Sequence, residues 1–288
     1  MSLVSSVSIG ADDVAVELDA VQAGIAAGVG RVAVAGEHAQ GLVDRRVLVG
    51  PIDPCGECDV CRRGGAAVCP LARRRDELGA RVIAAGRWVV PLDDGDDGDD
   101  GLPLPAPAAA AVAGDVVLAY TLYARTGLGP RDPVVVVGGS PIARFLIEIL
   151  LAKGIAPTAV ADPGPWADWL ASKGVVVARD RASLTAAFAA QSLGTKPWRV
   201  ICGAPAATLQ AAELAGPRAT LTLLATAAPP PISGEVLARE VTIIGVAGAH
   251  PDLVVEAAAM CVKGEIDLAG GTTADPADPL RTHVRSLR

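Results

Sequence analysis

The chain has 288 residues, and 51% of them are hydrophobic, which is enough apolar material for two domains or one large domain. A net charge of −7 gives a field that repels polyanions, so we expect no nucleic-acid partner. Apolar runs such as Val134–Val137 are far shorter than the roughly 20 residues of a bilayer-spanning helix. The first ten residues lack the features of a secretory signal. We therefore expect a cytoplasmic protein without a membrane span.

Residues 3–50 contain short runs typical of β-strands. Val14–Leu18, Val32–Val34 and Val47–Val49 are separated by turns that contain glycine. The pattern predicts a small β-rich region.

Four cysteines, Cys55, Cys58, Cys61 and Cys69, follow with two, two and seven intervening residues. Four thiolates at such spacing wrap one Zn²⁺ tetrahedrally, and a ligand set made of four sulfurs leaves no position for water or substrate. The alternative, four unrelated cysteines, is much less favoured by this spacing. The sequence therefore predicts one structural zinc. The cluster Arg73–Arg75 directly after it reads as a solvated surface patch.

The acidic, glycine-rich stretch 93–101 is interpreted as a solvated loop or linker. A helical pattern then extends from Pro103 to about Thr126, and Gly127 and Gly129 end it. From Val134 onward, short apolar strands alternate with helices, which predicts a parallel sheet of about six strands covered on both faces. The predicted elements are strands at 134–137, 158–161, 175–177, 200–202, 220–224 and 241–244, with helices at 142–153 and 166–173.

A glycine-rich turn follows the first of these strands. In a dinucleotide-binding fold, such a turn lets a pyrophosphate approach the backbone at a helix N-terminus. Here it consists of Gly138, Gly139, Ser140, Pro141 and Ile142 before Ala143. Compared with the pattern G-x-G-x-x-G, Ser140 replaces the second glycine and Ala143 the third. Asp162, 24 residues after Gly138, stands where an acid bonds the ribose of NAD, although a turn or capping role is an equal alternative.

The segment from Gly50 to Gly64, GPIDPCGECDVCRRG, resembles the structural zinc lobe of zinc-containing alcohol dehydrogenases in the medium-chain dehydrogenase/reductase superfamily. The resemblance covers almost the whole chain. It implies an α/β protein, with a GroES-like β-rich domain over 1–126 and a Rossmann doubly wound parallel sheet over 127–261. Residues 262–288 would pack back on the first domain. It also implies a homodimer formed through the strand at 241–244.

The resemblance implies further residues near the cofactor. Gly203 and the two residues after it are similar to the loop beside the nicotinamide ribose, and the segment 245–251 is similar to a late loop near the nicotinamide ring. His250 would border the cleft there, or act as an ordinary surface or capping residue.

The family also holds a catalytic zinc, and here this chain departs from its pattern. The first cysteine ligand falls on Ala26 and the proton-relay hydroxyl on Gly28. The Gly-His-Glu motif aligns with Gly36, Glu37 and His38, with its last two residues interchanged. Asp115, or Val116 in the alternative register, matches the third ligand. Glu37, His38 and Asp115 are thus the weak candidates for an altered site.

Two functions remain open from the sequence. The first is an oxidoreductase that transfers a hydride between NAD(H) and a small alcohol or carbonyl without a catalytic zinc. The second is a non-catalytic relative that binds a nucleotide, a metabolite or a protein partner.

Overall fold

A computed structural model describes residues 9–92, 104–129, 131–193, 198–224 and 234–287. The acidic stretch 93–101 lies outside these ranges. The strands are β1 (Asp13–Gln22), β2 (Ala27–Ala35), β3 (Arg46–Val49), β4 (Ile52–Asp53), β5 (Arg73–Arg74), β6 (Arg81–Ala85), β7 (Val90–Pro91), β8 (Val134–Val137), β9 (Thr158–Val160), β10 (Val176–Ala178), β11 (Arg199–Cys202), β12 (Thr220–Leu224), β13 (Thr242–Val246), β14 (Thr272–Thr273) and β15 (Thr282–Ser286).

The α-helices are α1 (Asp59–Arg62), α2 (Ala106–Ala111), α3 (Val117–Thr126), α4 (Pro141–Ala152), α5 (Pro165–Ser172), α6 (Arg181–Ala190), α7 (Thr208–Leu214), α8 (Gly234–Ala238), α9 (Val254–Val262) and α10 (Leu268–Gly271). Short 3₁₀ turns cover Glu37–Leu42, Ala66–Val68, Gly86–Trp88, Pro205–Ala207 and Pro251–Leu253.

The first sheet is built mostly from antiparallel pairs in the order β14-β15-β1-β2-β3-β7, and β6 pairs with β1. The pairing of β1 with β15 places the last strand of the chain on the N-terminal sheet. Between β3 and β6, the short hairpin β4-β5 leads into and out of the four cysteines. We call residues 54–72 the cysteine lobe.

The second sheet is parallel, with six strands in the order β10-β9-β8-β11-β12-β13. Its strand β8 shows why both faces are covered. Val134 and Val136 belong to one buried cluster, whereas Val135 and Val137 belong to another on the opposite face. Because side chains alternate along a strand, a wholly apolar strand needs a helical layer on each side. The predicted α/β fold, with a β-rich sheet and a doubly wound parallel sheet, is confirmed.

One apolar stretch links the two sheets. Helix α2, a π-helical turn at Val112–Val116 and helix α3 run on continuously from Ala106 to Thr126. This helix is long and apolar enough to cross a membrane, but 83% of its most apolar window is buried inside the protein, as in a core helix. Its residues share a buried cluster with Val29 of β2 and Phe145 of α4, so the same core joins both sheets.

Candidate functional site

The four cysteines converge in the cysteine lobe. Their ligand atoms all lie within 4.8 Å of one another. The Sγ atoms of Cys55 and Cys61 are 4.0 Å apart, those of Cys58 and Cys69 are 3.9 Å apart, and those of Cys55 and Cys69 are 3.6 Å apart. A tetrahedral Zn²⁺ with Zn–S bonds of about 2.3 Å requires S···S separations of roughly 3.8 Å. Three of the sulfur pairs are therefore close to the spacing that a tetrahedral zinc ion requires.

Local backbone geometry aims these sulfurs inward. Gly56 and Gly64 adopt φ values of +74° and +76°, a region that side chains rarely tolerate. The N–H of Cys55 lies 3.4 Å from the Cys69 Sγ, and the N–H of Cys58 lies 3.4 Å from the Cys55 Sγ. Backbone N–H groups of Glu57 and Cys58 lower the pKa of Cys55 to about 6, whereas desolvation raises the pKa of Cys61 to about 12, so the backbone of the lobe favours the thiolate at Cys55.

A buried carboxylate fixes the lobe to the first sheet. Asp53 is 6% exposed and receives hydrogen bonds from Arg73 Nε at 3.0 Å and from the N–H of Ala85 at 3.0 Å. Arg75 also pairs with Asp53. Trp88 Nε1 donates to the carbonyl of Pro54 at 2.6 Å. Two of the three adjacent arginines are thus structural ion-pair partners and not a solvated patch.

The parallel sheet reverses its strand order between β8 and β11, so its carboxyl edge has a crevice there. Gly138 follows β8 with φ +91°, and a Cβ atom at this position would lie 2.7 Å from the Cβ of Ala207. Ser140 begins α4 as its N-cap. Its hydroxyl accepts from the N–H of Ala143 at 3.1 Å and donates to the carbonyl of Gly203 at 2.6 Å. This bond ties together the two loops that flank the crevice.

The first turn of α4 has few free donors for a phosphate. Pro141 has no N–H, and the N–H of Ala143 is bonded to Ser140. The N–H of Ile142 is left as the donor of that turn. On the neighbouring strand, Asp162 lies exposed just after β9, at the same edge of the sheet.

Gly139 contacts a tryptophan that sequence reasoning did not assign to the site. A Cβ atom on Gly139 would lie 2.9 Å from Cγ of Trp166. Trp166 in turn stacks on Trp169, with ring centroids 5.1 Å apart and an interplanar angle of 9°. The glycine therefore lets an aromatic pair pack beneath the turn.

A cleft of about 430 Å³ opens between the two sheets. It is lined by residues 24–26 before β2, by 51–52 and 74–76 of the β4-β5 hairpin, and by Ala67 of the cysteine lobe. Gly114 and Leu118 of the long helix and residues 247–249 after β13 complete it. Because residues 247–249 follow the carboxyl end of a parallel strand, the cleft and the crevice open at the same edge of the sheet.

The structure does not bring Glu37, His38 and Asp115 together. Among the described residues, which include all three, the only group of three or more His, Cys, Asp or Glu side chains with ligand atoms this close is the four cysteines. Glu37 and His38 are exposed at the far end of β2, roughly 30 Å along the strand from Ala26. His38 contacts Asp12, with Nδ1 and Oδ1 2.9 Å apart.

Asp115 lies in the π-helical turn and is 5% exposed. Its carboxylate accepts from the Thr282 hydroxyl at 2.7 Å, and its N–H donates to Gln22 Oε1 at 3.0 Å. Burial raises the pKa of Asp115. These contacts connect the long helix to β1 and β15. Asp115 therefore does not join Glu37 and His38 in a metal site.

His250 has a specific partner. Its ring nitrogen Nε2 donates to the carbonyl of Gly64 in the cysteine lobe at 2.8 Å, and its N–H donates to the Thr121 hydroxyl at 3.0 Å. Since residues 247–249 line the cleft, this histidine holds one wall of the cleft against the cysteine lobe.

The sequence matches no protein-family model and no curated protein. Solved structures do match over most of the chain. A short chain alcohol dehydrogenase from Escherichia coli CFT073, in complex with NADH, is 17% identical with a TM-score of 0.73, covering 93% of this chain and 85% of that one. The alcohol dehydrogenase of Thermus sp. ATN1 is 16% identical with a TM-score of 0.74, covering 95% and 88%.

Galactitol-1-phosphate dehydrogenase from Escherichia coli gives 16% identity and a TM-score of 0.75, covering 95% of this chain and 88% of that one. The chain shares the fold of these dehydrogenases. At such identities the comparison establishes the fold alone. In this chain the cysteine lobe presents four sulfurs that could hold a metal ion, whereas the cleft is lined at Ile25, Ala26 and Gly114 by residues whose side chains bind no metal.

Sequence reasoning missed several residues of this site. Ile25 and Gly114 carry no chemical signal, because their role depends on which segments meet in space. Trp166 was recognisable only as an aromatic in a helix. Arg74 could not be told apart by residue type from the arginines on either side of it. Strand alternation offers a signal, because adjacent residues of an extended segment point to opposite faces, so Arg74 points away from Arg73 and Arg75.

Proposed function

We propose that this protein binds NAD(H) at the carboxyl edge of the parallel sheet and transfers a hydride to or from a small carbonyl or alcohol in the cleft. The observation behind the proposal is the strand order β10-β9-β8-β11-β12-β13, with the glycine-rich turn at the point where the order reverses. We assign residues 1–126 to a GroES-like domain and 127–261 to the dinucleotide-binding domain, with 262–288 returning to the first.

The proposed cofactor contacts come from three loops at this edge. Gly138 and Gly139 let the pyrophosphate approach the backbone, and the N-terminal turn at Ser140, Pro141 and Ile142 meets the phosphates. The carboxylate of Asp162 accepts hydrogen bonds from the adenosine ribose, which selects NAD(H) over the 2′-phosphorylated cofactor. Gly203 lies beside the nicotinamide ribose, across the Ser140 hydrogen bond.

We propose that the reaction proceeds without a catalytic zinc. Ala26 and Gly114 offer no ligand atoms in the cleft, and Glu37 and His38 are at the wrong end of β2. When bound, NADH supplies the hydride, and the carbonyl acquires its proton from an acid or from water in the open cleft. The chain itself orients the substrate between Leu118 and the wall that His250 holds in place.

A second candidate function is non-catalytic binding of a nucleotide, a metabolite or a protein. It is favoured by the small number of phosphate donors at the turn, since Pro141 lacks an N–H and Ala143 is already bonded. The two candidates differ in one measurable property, which is turnover of bound NADH.

The remaining parts of the proposal concern assembly and location. We propose one structural zinc per chain, held by Cys55, Cys58, Cys61 and Cys69, and a cytoplasmic location that keeps these thiols reduced. Among the described residues, β13 is the edge strand of the parallel sheet, with Ile243 38% exposed, and it is proposed to pair with a second copy in a homodimer. Analytical ultracentrifugation tests the dimer directly, and a monomer at micromolar concentration contradicts it.

Titration of the zinc-loaded protein with NADH and with NADPH tests the central proposal. We expect saturable binding of NADH, weaker binding of NADPH, and loss of the preference in Asp162→Ala. No binding of either cofactor at millimolar concentration overturns the dinucleotide proposal. Binding without oxidation of NADH by a panel of aldehydes and ketones supports the non-catalytic candidate.

A further inference from the structure

Three consecutive arginines follow the cysteine lobe, and they differ in what they contact. Arg73 is ion-paired with Asp13 at 2.8 Å and with Asp53 at 2.9 Å. Arg75 pairs with Asp53 and donates to the carbonyl of Gly50 at 3.0 Å. The side chain of Arg74 makes no hydrogen bond or ion pair with the residues that the structure describes.

Strand alternation explains the difference. Arg73 and Arg75 are two positions apart on the extended segment that pairs with β4, so both reach the same buried carboxylate of Asp53. Arg74 then projects from the opposite face of the segment, where it is exposed and lines the cleft. Its pairing with Ile52 holds the backbone in place, because β4 and β5 form a hairpin anchored by Asp53.

The cleft around Arg74 is otherwise largely apolar. Ile25, Ala26 and Leu118 contribute to its wall, while Arg75 is neutralised by Asp53. The one carboxylate on the lining is that of Asp76, which is exposed and is not within ion-pair distance of Arg74. A free guanidinium at the edge of an apolar cleft favours a ligand with a small apolar body and one terminal anion.

We propose that Arg74 is the substrate-recognition residue of the cleft, and that the substrate is a small carbonyl or alcohol compound with a carboxylate or phosphate group. This inference rests on the proposed function for the role of the cleft as a substrate site, but anion binding itself does not depend on a dinucleotide. The guanidinium donates two parallel N–H groups to the anion, and the negative charge of Asp76 on the same lining opposes that binding by repulsion.

Saturation-transfer NMR on the zinc-loaded protein without cofactor tests the proposal. The probes are pyruvate, dihydroxyacetone phosphate and uncharged acetone. We expect at least one of the two anions to bind, with a dissociation constant at least tenfold below that of acetone. The anion with the lower dissociation constant indicates whether the substrate carries a carboxylate or a phosphate group.

Variants distinguish a specific contribution of Arg74 to anion binding from the effect of the overall charge of the protein. Arg74→Ala is expected to weaken binding of the preferred anion by about tenfold or more, and Arg74→Lys by less, because lysine keeps the charge without the paired donors. Arg62→Ala removes the same charge from an exposed position outside the cleft and serves as the matched control. Asp76→Asn is expected to strengthen anion binding.

Equal effects of Arg74→Ala and Arg62→Ala, or anions that bind no better than acetone, overturn the inference. Thermal melts and zinc content of each variant verify that the fold is intact. NADH titrations on the same samples keep the two proposals apart: anion binding that depends on Arg74 in a protein that does not bind NADH contradicts the proposed function and leaves this inference standing.

Discussion

The cysteine lobe and the cleft are neighbours, joined through Ala67 and through the hydrogen bond from His250 to Gly64, yet they differ in chemistry. The lobe presents four sulfurs at tetrahedral spacing, whereas the cleft wall is formed by aliphatic and glycine positions where ligands of a reactive metal would be required. The proposed structural zinc in the lobe therefore does not require a second metal in the cleft. On this account, the cysteines of the lobe and the residues of the cleft serve separate purposes.

The largest expected effect follows from removing one sulfur. In Cys61→Ser the lobe loses a ligand that holds α1 against the 3₁₀ turn at Ala66–Val68, so zinc binding and local folding fail together. We expect zinc content to fall well below one per chain and the melting temperature to fall by about 10 °C, which corresponds to roughly 3–5 kcal/mol.

The control for this variant is Cys261→Ala, which changes a buried cysteine outside the lobe. Its zinc content is expected to stay at one per chain, although its melting temperature falls. A Cys61→Ser protein that retains a full equivalent of zinc contradicts the assignment of the ligands.

The next largest effect is expected from adding a backbone N–H donor to the glycine-rich turn, where the phosphates of NADH are proposed to bind. Pro141→Ala adds an N–H at the first position of α4 while keeping the helix, so a pyrophosphate gains one hydrogen bond. We expect the dissociation constant for NADH to fall by about tenfold, since bonds to charged groups contribute about 1.5–3 kcal/mol. Energy transfer from tryptophan to NADH measures this.

Pro217→Ala is the matched control, because Pro217 is exposed before β12, at the amino end of the sheet and away from the crevice. It is expected to leave NADH affinity unchanged. If both proline variants behave like the unmodified protein, the helix N-terminus does not bind the phosphates.

A smaller effect is expected on thermal stability from the buried carboxyl group of Asp115. Its pKa is raised above 3.8 in the folded state by burial, so the folded chain binds a proton that the unfolded chain releases. Stability is therefore fully present at pH below the unfolded pKa and decreases as the pH rises through the folded one. Asp115→Asn removes this loss and keeps an acceptor for Thr282.

We expect Asp115→Asn to melt roughly 2–4 °C higher at pH 7, the change that about 1 kcal/mol produces in a chain of this size. The gain should decrease as the pH is lowered and vanish only below the unfolded pKa of 3.8. Glu265→Gln, at an exposed acid, serves as the control. A lower melting temperature for Asp115→Asn at pH 7 means that the charged carboxylate stabilises the fold.

The smallest effect concerns the contact between lobe and cleft. His250→Ala removes the hydrogen bond to Gly64, and the expected loss of stability is about 1 kcal/mol. Hydrogen exchange followed by mass spectrometry should show faster exchange in segments 61–69 and 245–252. His38→Ala, at an exposed histidine, should leave both segments unchanged; exchange that is equal in the two variants argues against the coupling.

The sequence predicted the fold and the cysteine lobe well, because both signals are local. Alternation of strands and helices is read over a few residues, and the four cysteines lie within 15 positions. The cleft was predicted poorly. Glu37 and His38 were weak candidates for it because Gly36, Glu37 and His38 resemble a Gly-His-Glu motif with its last two residues interchanged, but β2 places them at the opposite end of the strand.

Contacts between distant segments were beyond sequence reasoning. The pairing of Asp115 with Thr282 joins residues separated by 167 positions, and the bond from His250 to Gly64 joins residues separated by 186. Neither residue type indicates its partner. Only the packing of the long helix between the two sheets determines which side chains meet.

Zinc stoichiometry combined with X-ray absorption tests the central claim most directly. We predict one zinc per chain, coordinated by four sulfurs at about 2.3 Å, and no oxygen or nitrogen in its first shell. Two zinc ions per chain, or a first shell that contains nitrogen or oxygen, contradict the claim that the metal is confined to the cysteine lobe and absent from the cleft.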